Sequence, residues 1–416
     1  MVSSIRIRAL NTVKSSTRSA QRVLRTFLIT ARKALRRFQL AIFVALFPFL
    51  RRLSRKKWVF NLDCHVSVIA DIRVGLAGVP DVKLISWSLS KHNFVFRSFF
   101  VDPDPVYAID SENWADLTEE RIQSFLRRYG KFLECFDGFI VTYPIGFIRL
   151  FSSLGKPILA VSAIRYEHPF GSDAQSWQRL DGELRDLTDS GKLLLFANNR
   201  GDAEYAGHFL EKKLEIVPSV CDYIALNRSS SPGVRIVQSR SRELEIEIAA
   251  SLGPPWVTAR EYFGKRYSWK MLAEVEVVLY VPYNTSTMTL FELATLGIPT
   301  LIPAGLLLDE LARDWDGVVS ELSFRQRLDP LVHPKEEGFL GADQDTPGFV
   351  EWWLERADFV DAELMPNVRL VEDLSDPRLR ESTQEYFPDL LPATERRNRR
   401  LQETRLEMLE RFRSLL

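Results

Sequence analysis

The first 62 residues of this 416-residue chain contain no aspartate or glutamate, although they carry fifteen lysines and arginines. The whole chain has 55 basic and 55 acidic residues, so the remainder holds 40 basic against 55 acidic ones. A segment of charge +15 therefore precedes a body of charge −15. This asymmetry predicts a basic amino-terminal helical arm, residues 1–57, that is distinct from the body.

Cysteine is scarce and metal-binding patterns are missing. The three cysteines, Cys64, Cys135 and Cys221, are far apart and form no C-x-x-C pair, which indicates a reducing compartment and neither a disulfide framework nor a zinc site. The five histidines show no ligand spacing, and no Asp-x-Asp follows a predicted strand. We therefore expect no bound metal and no cofactor.

A hydrophobic run long enough to span a bilayer is also missing from the basic arm. Its apolar stretch, Leu40–Leu50, is well short of the roughly 20 residues that a spanning helix needs. With basic residues on both sides, it fits a helix that lies on an anionic membrane surface, which predicts a cytoplasmic, peripherally bound protein. Its arginine- and serine-rich composition equally fits a cleaved organelle-targeting peptide. A nucleic-acid tail or a merely solvated arm is the third alternative, and we expect no nucleic-acid partner.

From Trp58 onward, short apolar runs alternate with longer amphipathic stretches, which is typical of a parallel sheet with helices on both faces. The predicted strands are Lys57–Leu62, Val82–Trp87, Gly138–Thr142, Pro157–Val161, Lys192–Phe196, Arg235–Gln238, Trp256–Thr258, Val275–Tyr280 and Thr300–Ile302. The predicted helices include Glu119–Leu133, Ser176–Ser190, Arg242–Leu252 and Thr394–Leu416. We therefore expect an α/β protein with two Rossmann-like doubly wound domains, residues 58–217 and 218–375, facing a cleft, and a helical segment at 376–416.

The segment Val277–Gly305 carries the most informative local pattern. An apolar strand is followed by Asn-Thr-Ser-Thr at residues 284–287, and these are residue types that begin a helix and place its free N–H groups toward an anion. Gly297 then fits a left-handed helix end, and Pro299 prevents continuation before a second apolar strand. The pattern predicts a strand, an anion-binding turn that includes Asn284, a short helix and another strand.

This string, VVLYVPYNTSTMTLFELATLGIPTLIPAG, resembles the donor-sugar-nucleotide motif in the carboxy-terminal domain of glycosyltransferases of the GT-B fold. The resemblance implies that Ser286 and Thr287 lie on the diphosphate turn and that Glu292 receives the ribose hydroxyls. The alternative for Glu292 is a capping box with Thr289. The chain lacks the Glu-Gly-Phe-Gly approach and the paired glutamates of the largest retaining class.

Polar residues directly after the other strands supply the remaining candidates, because ligands bind at the carboxyl ends of parallel strands. After the first strand, Asp63 and His65 pair a carboxylate with an imidazole, which is a usable general base. Glu167 and His168 offer the same pair after the fourth strand. In the second half, three residues are candidates for holding the leaving diphosphate: Ser239, Arg240 and Arg260.

Together these features predict a sugar-nucleotide-dependent (Leloir) glycosyltransferase of the hexosyltransferase type, which moves a sugar to a glycan or lipid-linked acceptor. The donor would bind the carboxy-terminal domain and the acceptor the amino-terminal one. A nucleotide-sugar epimerase of the same fold is the first alternative. A membrane-docked carbohydrate-binding protein without turnover is the second.

Overall fold

The computed structural model describes residues 30–64, 66–90, 106–168, 170, 173–224, 234–264, 269–322, 349–376, 379, 387 and 389–416, apart from 32, 33, 36 and 37. Within these ranges the chain forms two parallel sheets flanked by helices. The prediction of an α/β protein with two Rossmann-like doubly wound units is confirmed. The first sheet ends at Ile216 and the second begins at Val234.

The first sheet has six strands in the order β2-β1-β3-β4-β5-β6. Its strands are β1 (Lys57–Asp63), β2 (Val82–Ser88), β3 (Gly138–Val141), β4 (Ile158–Ser162), β5 (Leu193–Ala197) and β6 (Glu215–Ile216). The residues 30–54 that are described form a helix, α1. The helices that follow are α2 (Val66–Ala77), α3 (Glu119–Leu133), α4 (Ala174–Asp189) and α5 (Arg200–Leu210), with 3₁₀ turns at Ile145–Leu150 and Ser152–Leu154.

The second sheet has five strands in the order β11-β10-β9-β7-β8. Its strands are β7 (Val234–Gln238), β8 (Trp256–Thr258), β9 (Val275–Tyr280), β10 (Thr300–Pro303) and β11 (Val368–Val371). Its helices are α6 (Arg242–Leu252), α7 (Ala259–Phe263), α8 (Trp269–Ala273), α9 (Met288–Leu296), α10 (Gly305–Asp314), α11 (Phe349–Leu354) and α12 (Leu390–Leu415), with a 3₁₀ turn at Asp358–Val360.

Both sheets change winding direction in the middle, and these switch points fix where a ligand can bind. In the first sheet the chain leaves β1 toward β2 and returns on the other side to β3. In the second sheet it leaves β7 toward β8 and returns to β9. Loops diverge at such a point and open a crevice at the carboxyl ends of the strands. The residues after β1, β3, β7 and β9 are therefore the ones placed to line a site.

Helix α9 forms as its sequence predicts. Thr287 has extended backbone angles, and its hydroxyl accepts the Leu290 amide as an N-cap. The helix ends at Gly297, whose φ of 62° lies in the left-handed region that glycine adopts without strain. The capping box of Thr289 and Glu292 is not formed, because the cap lies two residues earlier.

The last helix, α12, returns to the first domain and joins the two halves. Its Arg405 side chain, 6% exposed, pairs with Asp71 of α2 at 2.9 Å and with Asp222 at 2.7 Å. Asp71 also accepts the backbone amides of Val220 and Cys221 in the crossover segment. Removing one partner of a buried charge network leaves an uncompensated charge, so this cluster holds the crossover in one position.

Helix α1, the described part of the predicted basic arm, packs on the first domain. Phe43 and Phe47 are 3% and 4% exposed. Phe43 lies 5.5 Å from the Phe132 ring of α3, and Phe47 lies 5.4 Å from the Trp58 ring of β1. Burial of these two rings stabilises the contact by the hydrophobic effect. Among the described helices, none has the length and apolar character needed to cross a membrane.

Replacing a large side chain by alanine should therefore affect stability differently on the buried and exposed faces of α1. We expect Phe43→Ala to lower the free energy of unfolding by about 3 kcal/mol, because it leaves a cavity between α1 and α3. Phe49→Ala, on the same helix but 60% exposed, should change it by less than about 0.5 kcal/mol. Denaturant titration of both variants checks this. Equal stabilities would show that α1 is not anchored through its inner face.

Candidate active site in the interdomain cleft

A cavity of about 600 Å³ lies between the two domains, at the carboxyl ends of both sheets. Its lining includes Val68, Trp114, Ala115, Tyr143, Ala163, Ile164, His168 and Asn198 from the first domain. The second domain contributes Arg240, Tyr283, Asn284, Ser286, Thr287, Met288, Thr289 and Glu321. Tyr143 follows β3, Arg240 follows β7 and Tyr283 follows β9, so the cleft lies at the switch points. Its position and mixed polar and aromatic lining fit a small-molecule site.

The wall from the second domain is the predicted anion-binding turn. Ser286 and Thr287 line the cleft directly before the first turn of α9, where free N–H groups and the helix dipole favour negative charge. Thr287 also lies 3.1 Å from the Tyr280 hydroxyl, which fixes its rotamer. The Asn284 side chain accepts the Thr285 amide at 2.8 Å and so holds the turn closed.

Arg240 supplies a cation beside this turn. Its guanidinium lies 3.8 Å from the centre of the Tyr283 ring and pairs with Glu321. The side chain is 43% exposed and lines the cavity. A guanidinium stacked on an aromatic ring keeps its in-plane N–H groups available for an oxyanion. Of the three residues predicted for the diphosphate in this region, Arg240 is the one that lines the cavity.

Ser239 and Arg260 instead support the loop that carries Arg240. The Ser239 amide donates to Glu245 at 2.9 Å, and the Ser239 hydroxyl accepts the Ser241 amide. Arg260 pairs with Glu245 at 2.6 Å and donates to the Arg240 carbonyl oxygen at 3.0 Å. Neither side chain lines the cavity. These contacts orient the backbone at Arg240.

Arg165 crosses from the first domain to the second. Its side chain is 1% exposed and forms an ion pair with Asp202 at 2.9 Å. It donates to the Leu322 carbonyl oxygen at 2.7 Å and to the Asn284 side chain at 3.4 Å. The guanidinium also lies 3.9 Å from the centre of the Trp353 ring. It therefore positions the anion-binding turn from across the cleft.

Of the two candidates after β1, the structure describes Asp63. Asp63 is 0% exposed, and its carboxylate accepts the Thr142 hydroxyl and, at 3.1 Å, the Tyr143 amide. These hydrogen bonds hold the loop after β3 in place. Asp63 does not line the cavity. His65 lies outside the described residues.

The pair after β4 is split by the structure, because adjacent residues point in different directions. His168 lines the cleft, where its ring lies edge-on to Trp114 at 5.0 Å and 6.5 Å from Tyr143. These three rings form the aromatic wall of the first domain. Glu167 is 1% exposed and away from the cavity, and it accepts the Tyr205 hydroxyl at 3.1 Å. Burial raises the pKa of Glu167 to about 7, partly offset by Arg165.

Glu292, expected at the donor ribose, lies on α9 and is 7% exposed. Its carboxylate accepts the Tyr223 hydroxyl at 2.8 Å, and the Tyr223 ring lies 5.1 Å from Trp269. It is not among the residues that line the described cavity. Its role toward the ribose stays a prediction.

Within the described ranges, no three His, Cys, Asp or Glu side chains lie close enough to hold a metal ion. The cleft offers a helix N-terminus and Arg240 to an anionic group.

Comparison with known proteins gives matches at the level of solved structures. No family model and no curated protein matches the sequence. A structure described as the glycotransferase of kitacinnamycin is similar, with 13% identity, 86% of this chain and 97% of that chain covered, and a TM-score of 0.40. Spinosyn forosaminyltransferase SpnP is 13% identical, with 80% and 100% covered and a TM-score of 0.37. Glycosyltransferase SnogD from Streptomyces nogalater is 10% identical, with 62% and 84% covered and a TM-score of 0.36.

The raised pKa of Glu167 predicts a pH-dependent stability. The ordinary pKa is 4.5 and the folded value is about 7, so the folded protein keeps a proton that the unfolded chain releases between these values. Glu167 should therefore make wild-type stability fall as pH rises through this window, by up to about 3 kcal/mol. Buried Asp358, whose pKa is raised from 3.8 to about 8, adds its own loss over a wider range. Glu167→Gln, which is neutral throughout, removes only the Glu167 contribution, so in denaturant titrations it should lose up to about 3 kcal/mol less than wild type over the same window.

The exposed Glu403→Gln variant is the matched control and should follow the wild-type curve. Parallel curves for wild type and Glu167→Gln would contradict the protonated, buried state of Glu167.

Proposed function

We propose that this protein is a sugar-nucleotide-dependent glycosyltransferase of the Leloir, hexosyltransferase type. The observation that carries the proposal is the cleft itself, in which an anion-binding helix end and Arg240 face an aromatic wall that contains His168. A sugar nucleotide has a diphosphate for the first side, and a carbohydrate or other ring-bearing acceptor suits the second.

The donor half of the proposal rests on charge. The diphosphate binds the N–H groups before α9 and the hydroxyls of Ser286 and Thr287, with Arg240 on its flank. As the glycosidic bond breaks, negative charge develops on the diphosphate, and these groups stabilise it without reorganising. The loop contacts of Arg260 and the cross-cleft contacts of Arg165 keep both elements in place.

The acceptor half rests on His168 and its two aromatic neighbours, Trp114 and Tyr143. Sugar rings stack on aromatic faces, and the His168 imidazole lies where it can take the proton of an acceptor hydroxyl. Of the four residues predicted as a base, His168 is the described one that lines the cavity. Asp63 and Glu167 are buried and do not line it.

The reaction class is tested by incubating the purified chain with a panel of nucleotide sugars, with and without acceptors. Release of nucleoside diphosphate that depends on an acceptor supports a transferase. A changed sugar without release identifies an epimerase, and binding without either identifies a carbohydrate-binding protein. The last two outcomes would overturn the proposal.

Substitutions on the two sides of the cleft should also have different effects, one on nucleotide affinity and the other on turnover. We expect Arg240→Gln to weaken nucleoside diphosphate binding about 10- to 100-fold, because it removes a charged hydrogen bond. His168→Gln should leave that affinity within about twofold and lower turnover about 10²- to 10⁴-fold, as expected for a lost general base. Calorimetry and acceptor-dependent turnover measure the two effects.

Arg242→Gln is the control for Arg240, since Arg242 is an exposed residue two positions along the chain. It should keep wild-type affinity. A His168→Gln enzyme with normal turnover would remove the imidazole from the mechanism.

A second proposal concerns α1, which has apolar side chains on both faces. Opposite the buried Phe43 and Phe47 lies an outer stripe of six exposed large side chains. These are Leu35 (56%), Phe38 (62%), Ile42 (39%), Leu46 (50%), Phe49 (60%) and Leu53 (67%). Their spacing of three and four residues places them within an arc of about 80° on a helix. Contiguous exposed apolar surface of this kind marks an interaction site.

The basic residues near the outer stripe favour an anionic partner. The end of α1 and the residues after it carry exposed Arg52, Arg55 and Lys56, and the first 62 residues contain no acidic side chain. A second copy of this helix would bring like charges together, whereas an anionic lipid surface supplies the opposite charge. We propose that the stripe lies on an anionic membrane, where the enzyme would meet a lipid-linked acceptor.

The position of α1 is compatible with turnover on such a surface. It contacts Trp58, the second residue of β1, and Asp137, directly before β3, through Phe47 and Arg51. Both lie at the amino ends of parallel strands, whereas the cleft lies at the carboxyl ends. Docking through the outer stripe therefore leaves the cleft open.

Membrane docking predicts that Leu46→Ser with Phe49→Ser lowers binding to phosphatidylserine-containing vesicles about tenfold, because two inserted side chains are lost. Vesicle co-sedimentation measures it, and raised salt should weaken wild-type binding. Leu391→Ser, 60% exposed on α12, is the control and should bind normally.

Two results would contradict docking. Wild-type protein that fails to bind these vesicles at low salt would favour a cleaved targeting peptide. Dimers in sedimentation velocity that the double variant dissociates would assign the stripe to a second copy.

A further inference from the structure

Trp353 lies where the two domains meet. It belongs to α11, between β10 and β11 of the second sheet, but its ring packs against α5 of the first domain. The side chain is 0% exposed, and its ring centre lies 5.7 Å from that of Tyr205. A methyl group added at Gly201 would lie 2.9 Å from Trp353 Cζ3. Since Arg165 lies 3.9 Å from the same ring, the indole contacts α5 and Arg165 at once.

Two further contacts hold the segment around Trp353 on both domains. Directly after α11, Arg356 pairs with Glu204 of α5 at 2.6 Å. Two residues later, the Asp358 amide donates to the Thr285 carbonyl oxygen of the anion-binding turn at 3.0 Å. The short segment from Trp353 to Asp358 therefore connects α5 of the first domain to the turn that begins α9.

The polar contacts of the Arg165 guanidinium leave the orientation of its plane weakly defined. One end donates to the Leu322 carbonyl oxygen at 2.7 Å, but the bond to the Asn284 side chain is long, at 3.4 Å. The Nε atom lies 2.9 Å from Asp202, yet among the described residues this N–H has no hydrogen-bond partner. A guanidinium donates only in its plane, so an aromatic ring against its face restricts the tilt that these contacts permit.

The tilt of Arg165 matters because Asn284 shapes the turn. The Asn284 side-chain oxygen accepts both the Thr285 amide, at 2.8 Å, and the Arg165 guanidinium. Ser286 and Thr287, which line the cleft, follow directly. A guanidinium that tilts away from Asn284 removes one of the donors that hold this side chain, and the turn then loses this contact with the first domain.

We infer that Trp353 is a positioning residue of the donor site. Its indole holds the plane of the Arg165 guanidinium, and through Asn284 this keeps the anion-binding turn in the conformation that binds a diphosphate. The inference rests on the proposed function, because it requires a nucleotide at this turn. It adds that donor affinity depends on the contact between α5 and α11, so the donor site is complete only while the two domains stay packed there.

Replacement of Trp353 by an aromatic and by an aliphatic residue tests the role of its ring. Trp353→Phe and Trp353→Leu remove similar volumes, but only phenylalanine keeps an aromatic face for the guanidinium. We expect Trp353→Leu to weaken nucleoside diphosphate binding about tenfold and Trp353→Phe to stay within about threefold of wild type. Calorimetry with uridine, thymidine, adenosine and guanosine diphosphate measures both. A merely structural role would weaken binding equally in the two variants, and equal affinities would overturn the inference.

Gly201→Ala displaces the indole without removing it. The added methyl group meets Trp353 Cζ3 and Cε3 at 2.9 and 3.0 Å, so the ring must shift, although alanine favours the helix. Nucleotide binding should weaken about fivefold. Gly182→Ala is the matched control in α4, since no atom lies within 4 Å of its added methyl group, and it should bind as wild type does. Wild-type affinity in Gly201→Ala would overturn the inference.

A double-mutant cycle shows whether Trp353 acts through Arg165. Arg165→Met with Asp202→Asn removes both charges of the buried pair together. In this background Trp353→Leu should cause no further loss of nucleotide affinity, because the group that it positions is gone. A further tenfold loss would overturn the inference. If this background does not fold, the comparison of leucine with phenylalanine at position 353 still decides.

Failure of the inference can be told from failure of the proposed function. Wild-type protein that binds a nucleotide, with unchanged affinity in Trp353→Leu, would overturn the inference alone. Wild-type protein that binds none of the four nucleotides would refute the proposed function, and the inference with it.

Discussion

The buried guanidinium of Arg165 joins the two domains at the point where the proposed chemistry takes place. It leaves the end of β4, pairs with Asp202 and reaches the Asn284 side chain and the Leu322 carbonyl oxygen. A guanidinium is always charged and binds through fixed in-plane donors, so burying it is favourable only while all these partners stay in place. The shape of the cleft and the conformation of the anion-binding turn therefore depend on one set of contacts.

Two buried carboxyl groups, Asp202 and Glu167, lie close to this cation. Both have raised pKa values because burial disfavours their charge, and Arg165 offsets the effect in part. One arginine neutralises one carboxylate, so the other is best accommodated as a neutral acid. The buried interior next to Arg165 thus avoids excess negative charge by holding a proton.

Helix α1 has two apolar faces with different surroundings. Its inner face, with Phe43 and Phe47, continues the aromatic core of the first domain through Phe132 and Trp58. Its outer face stays exposed because no other described element covers it. Hydrophobic burial on one side holds the helix in place, so the apolar stripe on the other side is presented as a fixed surface.

Much of the fold follows from the sequence, because strand and helix periods and the caps of α9 are local properties. The bounds of α3, α6, β8 and β9 agree with prediction and β7 begins one residue earlier than predicted, whereas β6 and β11 were missed, the first being only two residues long. Strand-end reasoning placed Ser286, Thr287, Arg240 and His168 at the cleft. It could not separate His168 from its neighbour Glu167, because the direction of each side chain depends on packing.

Only the tertiary structure brought Arg165 to Asn284 and Asp358 to Thr285, which lie 119 and 73 positions apart. No local pattern encodes such pairs. They form only when each domain has buried its own core, because that packing brings residues that are distant in sequence into contact.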